Sequence, residues 1–376
     1  MKLFQKLIVA PAALGFLIPS TAFAEEIKLA DISNYSSSKE VKSISEFNPA
    51  EELAVTNSRV DGLESKFNDF EAGSFSETTV MKGKAKFQIG GTDGVTDEAV
   101  MASYFWEVDL NTSFTGEDNL NVEIETGNTP DGTDSFLAVT DFGKDSEDFL
   151  KVSDLNYTFP AGDWSITVGD SLDASKQFTG ACSYGNTVDS LSDCGTGNSI
   201  AVGGDQTISA GYDLDNGVSF GVGLSADDGE TSSGMFTTEG EDIYALNVAY
   251  SGDNYALALA YADVDVATYW GINASYSPDN FPTISGGYEL GDPDSGNDTT
   301  QFAIGLSSDL GPGEITIGMG TDGAITDGEE ELYAYDLSYT YKFNDGMSIT
   351  PFAFIVEGAS GADDTTGVGA EIGFKF

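Results

Sequence analysis

The chain has 376 residues and is strongly acidic: 63 aspartates and glutamates stand against 15 lysines and arginines, histidine is absent, and the formal net charge is −48. That charge excludes counterion release from a phosphate backbone, so nucleic acid is not an expected partner. Without histidine there is no Ser-His-Asp triad, no His general base and no His metal ligand.

Hydrophobic residues still make up 40% of the chain and aromatic ones 11%, more than a solvated acidic tail carries, so a folded scaffold is expected. Residues 1–24 read as a secretory signal peptide. Lys2 and Lys6 give the charged start, Leu7 to Ile18 the apolar core, and Ala22-Phe23-Ala24 the cleavage signature. No other stretch reaches ~18 consecutive apolar residues, so no transmembrane helix is expected. Residues 25–52 are polar and without period, an N-terminal periplasmic segment. At 53–73 the residues Leu53, Thr56, Val60, Leu63, Phe67 and Phe70 recur with 3-4-3-4-3 spacing, which fits a short coiled coil or one amphipathic packed helix. Ala72-Gly73-Ser74 ends it.

From residue 75 to 376 the period changes to two. Sixteen strands are predicted, with apolar rows such as Tyr104/Trp106/Val108/Leu110, Tyr244/Leu246/Val248/Tyr250 and Val368/Ala370/Ile372/Phe374/Phe376. Seven short turns rich in Gly, Pro, Asn and Asp, among them Leu214-Asp215-Asn216-Gly217, are expected to alternate without exception with eight longer loops. Aromatics flank the short turns (Phe159 and Trp164, Tyr250 and Tyr255, Tyr341 and Phe343), as in an interfacial girdle. The predicted fold is all-β: a 16-stranded antiparallel transmembrane β-barrel behind a short N-terminal helix. Phe374 and Phe376 end its last strand and are candidates for a membrane assembly signal.

A barrel of ~16 strands leaves an aqueous channel, so passive diffusion of small hydrophilic solutes and inorganic ions is the expected function, with outer-membrane lipid as surroundings. No enzyme and no cofactor are expected. Strand parity places Lys82, Lys84 and Lys86 on the lumen face of the first strand and Glu107, Asp109, Glu123 and Glu125 on that of the next two. Asp336, Lys342, Glu371 and Lys375 are further lumen candidates. Two readings stay open: a field across the pore between basic and acidic strips, or cross-strand pairs that satisfy each other. Residues 75–376 contain 8 lysines, no arginine and 52 acids, so cation preference is expected. Acidic loops such as Asp227-Asp228-Gly229-Glu230 are solvated charge or bridge divalent cations. Cys182 and Cys194 suit one disulfide closing a small loop in an exported protein, not a zinc site.

The start MKLFQKLIVAPAALGFLIPSTAFA, the segment SRVDGLESKFNDFEAGSFSETTVMKGKAKFQIGG and the ending GFKF resemble cyanobacterial outer-membrane porins, a family related to carbohydrate-selective porins and often labelled iron uptake porin. The resemblance implies a homotrimer, a periplasmic coiled coil and passage of inorganic ions and small solutes. It also suggests that the third long loop, Gly169 to Asp205, folds into the lumen with Cys182–Cys194 as a stiffening clip; the alternative is a loop capping the outer mouth. VKSISEFNPAEEL resembles the start of an S-layer-homology domain whose remainder is missing, which leaves cell-wall attachment in doubt. Other functional readings are a substrate-selective channel for sugars or iron, and a structural or adhesive barrel.

Overall fold

The computed structural model describes residues 78–376 apart from 96–97, 130–135, 141, 143–147, 228 and 239. The expected signal peptide (1–24), polar segment (25–52) and helix or coiled coil (53–73) lie outside the described residues.

The described residues form sixteen long strands and one two-residue strand. They are β1 (Thr79–Asp93), β2 (Val100–Thr112), β3 (Asn119–Gly127), β4 (Lys151–Ala161), β5 (Trp164–Asp170), β6 (Gln206–Asp213), β7 (Val218–Asp227), β8 (Glu241–Ser251), β9 (Tyr255–Asp263), β10 (Ala267–Tyr276), β11 (Thr283–Pro293), β12 (Thr299–Leu310), β13 (Gly313–Thr321), β14 (Ile325–Thr326), β15 (Tyr333–Asn344), β16 (Met347–Val356) and β17 (Thr365–Lys375). Each long strand pairs antiparallel with its neighbours in sequence; the short β14 is a side pairing on β12, so β13 pairs directly with β15. β1 and β17 close the ring in a register that runs from Lys84↔Lys375 to Asp93↔Thr366. The ladder continues through the last residue, where Gly83 N–H donates to the Phe376 carbonyl (2.7 Å) and Phe376 N–H to that of Gly83 (3.0 Å). Closure leaves no long strand with an unpaired edge.

The two faces are inverted relative to a soluble protein. On β8 the outward residues Tyr244, Leu246 and Val248 are 44%, 54% and 40% exposed, whereas inward Ala245, Asn247 and Ala249 are buried. An apolar row outside and a small or polar row inside is the alternation of a lipid-embedded barrel. Aromatic pairs sit beside the short turns: Tyr250 stacks on Tyr255 at 5.4 Å and Tyr341 meets Phe343 edge-on at 4.8 Å.

The expected alternation of turn lengths fails at one place. β9 and β10 are joined on the long-loop rim by residues 264–266 alone. No Gly, Asn or Pro marks this turn. Asp265 takes a left-handed backbone (φ 68°), a conformation that Asp tolerates better than most residues, and Val264 N–H reaches the Ala267 carbonyl at 3.0 Å.

The β2–β3 turn is built around Asp118. Its Oδ1 accepts from the Ser113 hydroxyl (2.8 Å), the Phe114 and Thr115 N–H groups (2.9 and 2.8 Å) and the Thr115 hydroxyl (2.9 Å). The Tyr157 hydroxyl donates to Oδ2 at 2.7 Å. The Tyr157 hydrogen bond, and after it the Thr115 N–H, hold this carboxyl well below the usual aspartate range. A depressed folded-state pKa means stabilisation that is complete above the ordinary value of ~3.9 and is lost as pH falls below it. Amide exchange at Phe114 and Thr115 is therefore expected to stay protected at pH 5 and to lose protection in stronger acid. In Asp118→Ala the protection should be absent at both pH values; equal protection in the variant would refute this role.

Candidate functional site

The connection between β5 and β6, residues 171–205 (loop L3), runs along the inside of the barrel. Its backbone donors meet inward side chains of five strands in turn around the wall. Gln177 N–H donates to Ser209 on β6 (3.1 Å), Thr179 N–H to Asn247 on β8 (3.0 Å) and Ala181 N–H to Asn273 on β10 (2.8 Å). Ser183 N–H donates to Ser285 on β11 (3.2 Å) and Thr187 N–H to the Asp336 carboxylate on β15 (2.6 Å). The returning half is held by Glu289 on β11, which accepts from Asn198 N–H (3.1 Å), Asn198 Nδ2 (2.9 Å) and the Ser199 hydroxyl. Gln301 Nε2 adds a fourth hydrogen bond to the same carboxylate at 2.9 Å. These are extended-chain contacts, every second residue of the loop facing the wall over 177–183.

Glycines on the wall let L3 approach this closely. The Tyr184 ring lies over Gly305 and against Gly318, and Ser199 lies over Gly271; a β-carbon at Gly305 or Gly271 would overlap them. Burial, and after it the Asp336 carboxylate, push the Tyr184 phenol above its ordinary pKa. Cys182 and Cys194 are disulfide-bonded with Cα atoms 5.8 Å apart, joining the outgoing and returning halves of the loop.

A second inward element comes from the β3–β4 connection, where the four-residue helix α1 (Phe136–Val139) lies inside the barrel. Phe136 is fully buried and stacks on Phe352 (5.8 Å) and Phe354 (6.1 Å) of β16. Gly90 and Gly369 make room for its ring. Thr140 donates to Gln88 Oε1 at 3.0 Å. Phe136, Leu137 and Phe142 join Val188 and Leu191 of L3 in one apolar cluster with Phe105, Phe352 and Phe354 from the wall. A small hydrophobic core thus sits inside the tube, and two further clusters join L3 to inward alanines of β8 and β9.

The space left open lies beside this cluster, against Phe105, Thr140, Phe142 and Phe352. A cavity of about 750 Å³ is bounded by Lys84, Lys86, Glu107, Glu314 and Glu371 on the wall and by Asn186 and Thr187 of L3. A second cavity, of about 790 Å³, shares Lys84, Lys86, Thr340, Thr350 and Glu371 with the first and extends past Lys342 and Lys375 to the β15–β16 turn. Together they form one passage.

The sequence-predicted lumen residues separate into three groups. Lys84, Lys86, Glu107, Glu371 and Lys342 border the passage. Lys84 pairs with Glu107 at 2.7 Å and Lys86 with Glu371 at 3.2 Å, so here neighbouring strands satisfy one another. Lys82, Asp109, Glu123 and Glu125 border neither cavity. Lys82 stands opposite Asp109 in register, Asp109 accepts from Asn121 (3.0 Å), Glu123 accepts from Ser153 (2.8 Å), and Glu125, 1% exposed, pairs with Lys151 at 3.3 Å. Asp336 lies beneath L3 and serves Thr187. Glu107, Glu123 and Glu125 bring one carboxylate oxygen each within 4.8 Å of the others, and Lys84, Lys151 and Ser153 engage them. Phe374 meets Phe87 edge-on at 6.2 Å, and Phe376 covers Gly83.

Sequence reasoning missed the wall anchors Asn247, Asn273, Ser285 and Glu289 and the inward phenylalanines. The second group did leave a signal: Phe105, Phe352 and Phe354 occupy the lumen parity of their strands.

Comparison with known proteins agrees with this architecture. The barrel is similar to a loop L8 deletion mutant of OmpT, an outer membrane protein of Vibrio cholerae (TM-score 0.58, 13% identity, covering 80% of this chain and 99% of that one). It is also similar to OprB of Pseudomonas putida (TM-score 0.58, 8% identity, 80% and 94%) and to a triple mutant of the Rhodopseudomonas blastica porin (TM-score 0.52, 13% identity, 79% and 100%). At such identities the likeness speaks for the fold. No curated protein matches the chain in sequence. Residues 65–355 match the Gram-negative porin family, Porin_4. Because that match spans most of the barrel, the chain belongs to the Gram-negative porin family, and the passage beside L3 is that of an outer-membrane channel for small solutes.

Proposed function

We propose that the channel passes small hydrophilic solutes and inorganic ions by diffusion and prefers cations. The observation that carries this is the charge of the part of the passage beside L3, where Glu107, Glu314 and Glu371 stand against Lys84 and Lys86. The wider surroundings reinforce it, since residues 75–376 hold 52 acids and 8 lysines. Carboxylates lining a water-filled constriction raise the local concentration of cations and lower that of anions. The two ion pairs keep the preference modest, because each lysine cancels the field of its partner at short range.

The test is electrical. Purified protein in a planar lipid bilayer is expected to give ohmic single-channel steps. Under a potassium chloride gradient the zero-current potential should take the sign of potassium permeation, and the preference should shrink at high salt as screening shortens the range of the acids. A potential of the chloride sign would overturn the preference, and absence of steps would overturn the diffusion reading.

A further inference from the structure

Four of the eight lysines in residues 75–376 border one cavity, the one near the β15–β16 turn. They are Lys84, Lys86, Lys342 and Lys375, and the acids beside them are Glu371 and Asp345. This is the reverse of the chain as a whole, in which acids outnumber bases about fourfold.

Register shows how the four are placed. Lys84 on β1 stands directly opposite Lys375 on β17. Like charges facing each other across a ladder are destabilising, and this chain has acids in abundance with which to avoid the conflict. One step further into the barrel, Lys342, Ser348, Gly373 and Lys86 occupy a single row across β15, β16, β17 and β1. Two lysines therefore flank a floor made of a hydroxyl and a glycine. A β-carbon at Gly373 would meet little beyond the Ser348 hydroxyl (3.1 Å) and Glu371 (3.8 Å). Lys86 is engaged by Glu371 and Lys84 by Glu107. Among the described residues Lys342 and Lys375 make no ion pair, and the Ser348 hydroxyl makes no hydrogen bond.

We propose that this cradle is a binding site for a small multivalent oxyanion of the phosphate or sulfate class. Lys342 and Lys375 supply unpaired ammonium groups, Ser348 a hydroxyl donor, and Gly373 the free volume above the wall. Ammonium and hydroxyl donors converging on one hydrated space form charge-assisted hydrogen bonds to a tetrahedral anion. The placement of Lys84 opposite Lys375 breaks a local stability rule, as functional sites often do. The cradle would detain such an anion in a channel for which a cation preference is proposed above.

The probe is inorganic phosphate, titrated at constant ionic strength against the single-channel potassium chloride current of the full-length protein. A saturable fall in current is expected as phosphate occupies the passage. In the double variant Lys342→Gln, Lys375→Gln the half-blocking concentration should rise about tenfold or more, as removal of two charges from a hydrated site implies. Among the described residues neither lysine has an ion-pair partner, so the variant should still assemble and give potassium chloride steps, and its block is read against its own phosphate-free current because Lys342 borders the passage; if it gives no steps, Ser348→Ala provides the comparison. Sulfate should block with similar strength. Steps that phosphate leaves unchanged, or a block of equal strength in the variant, would overturn the site while leaving the channel reading intact.

Discussion

Glu289→Ala is expected to free the returning half of L3 while the barrel stays closed. The carboxylate accepts three hydrogen bonds from L3, two from Asn198 and one from Ser199, and is 2% exposed. Alanine would take this acceptor from the buried Ser199 hydroxyl, at about 1–3 kcal/mol for a donor that water cannot reach, and would release the exposed Asn198 to solvent. The loop should meet this by moving off the wall around 198–199, where Gly271 and Gly287 offer no side chain and the nearest remaining hold is the Asn273 amide on Thr196 (3.0 Å). Two readouts follow. Hydrogen exchange of the amides of residues 196–201 should accelerate, with the barrel strands unchanged, and single-channel records should become noisy as the loop samples the passage. Glu289→Gln keeps one acceptor oxygen and should lie between the two. A quiet channel with wild-type exchange in the alanine variant would show that Glu289 does not anchor the loop.

Phe136→Ala should widen the pore. Phe136 is the fully buried centre of the apolar cluster, stacked between α1 and the two β16 phenylalanines. Truncating a core phenylalanine costs about 3–5 kcal/mol, which is large for a four-residue helix with few other attachments. Loss of α1 from the wall would also remove Thr140 and Phe142, which border the cavity beside L3. Conductance should rise, and neutral sugars too large for the wild-type channel should enter vesicles carrying the variant in a liposome-swelling assay. Phe352→Leu, which removes one stacking face and keeps most of the volume, should do the same to a smaller degree. Unchanged conductance and size limit in Phe136→Ala would show that α1 does not restrict the passage.

The strand framework was legible in the sequence because lipid imposes a strict rule on it. A residue such as Leu246 faces the membrane and must be apolar, and its neighbours Ala245 and Asn247 face inward, so a period of two survives along nearly every strand. Pairing of Lys84 with Glu107 was also within reach, since both lie at lumen parity on adjacent strands. The path of L3 was not. Its anchors are backbone N–H groups, which every residue but proline has, and they meet single Ser, Asn, Asp and Glu side chains far away in sequence. Asn247 and Asn273 look like any other small polar residue on a lumen face until the loop is laid across them. The β9–β10 turn was misjudged for a related reason: Asp265 adopts a left-handed backbone without the glycine that usually advertises one. The inward phenylalanines were visible and were passed over, because a polar interior was assumed on every strand.

The pairing of β1 with β17 has a consequence for how the molecule comes into being. Every other long-strand ladder joins strands close in the chain and can form locally, as hairpins do. The closing ladder joins the first described strand to the last, and the entropy of bringing distant segments together must be met before any of its hydrogen bonds is gained. Until that moment β1 and β17 both present unpaired edges, ready to pair with other chains. The edges of the barrel thus stay open to aggregation until this ladder forms, and closure is the one long-range pairing that removes them.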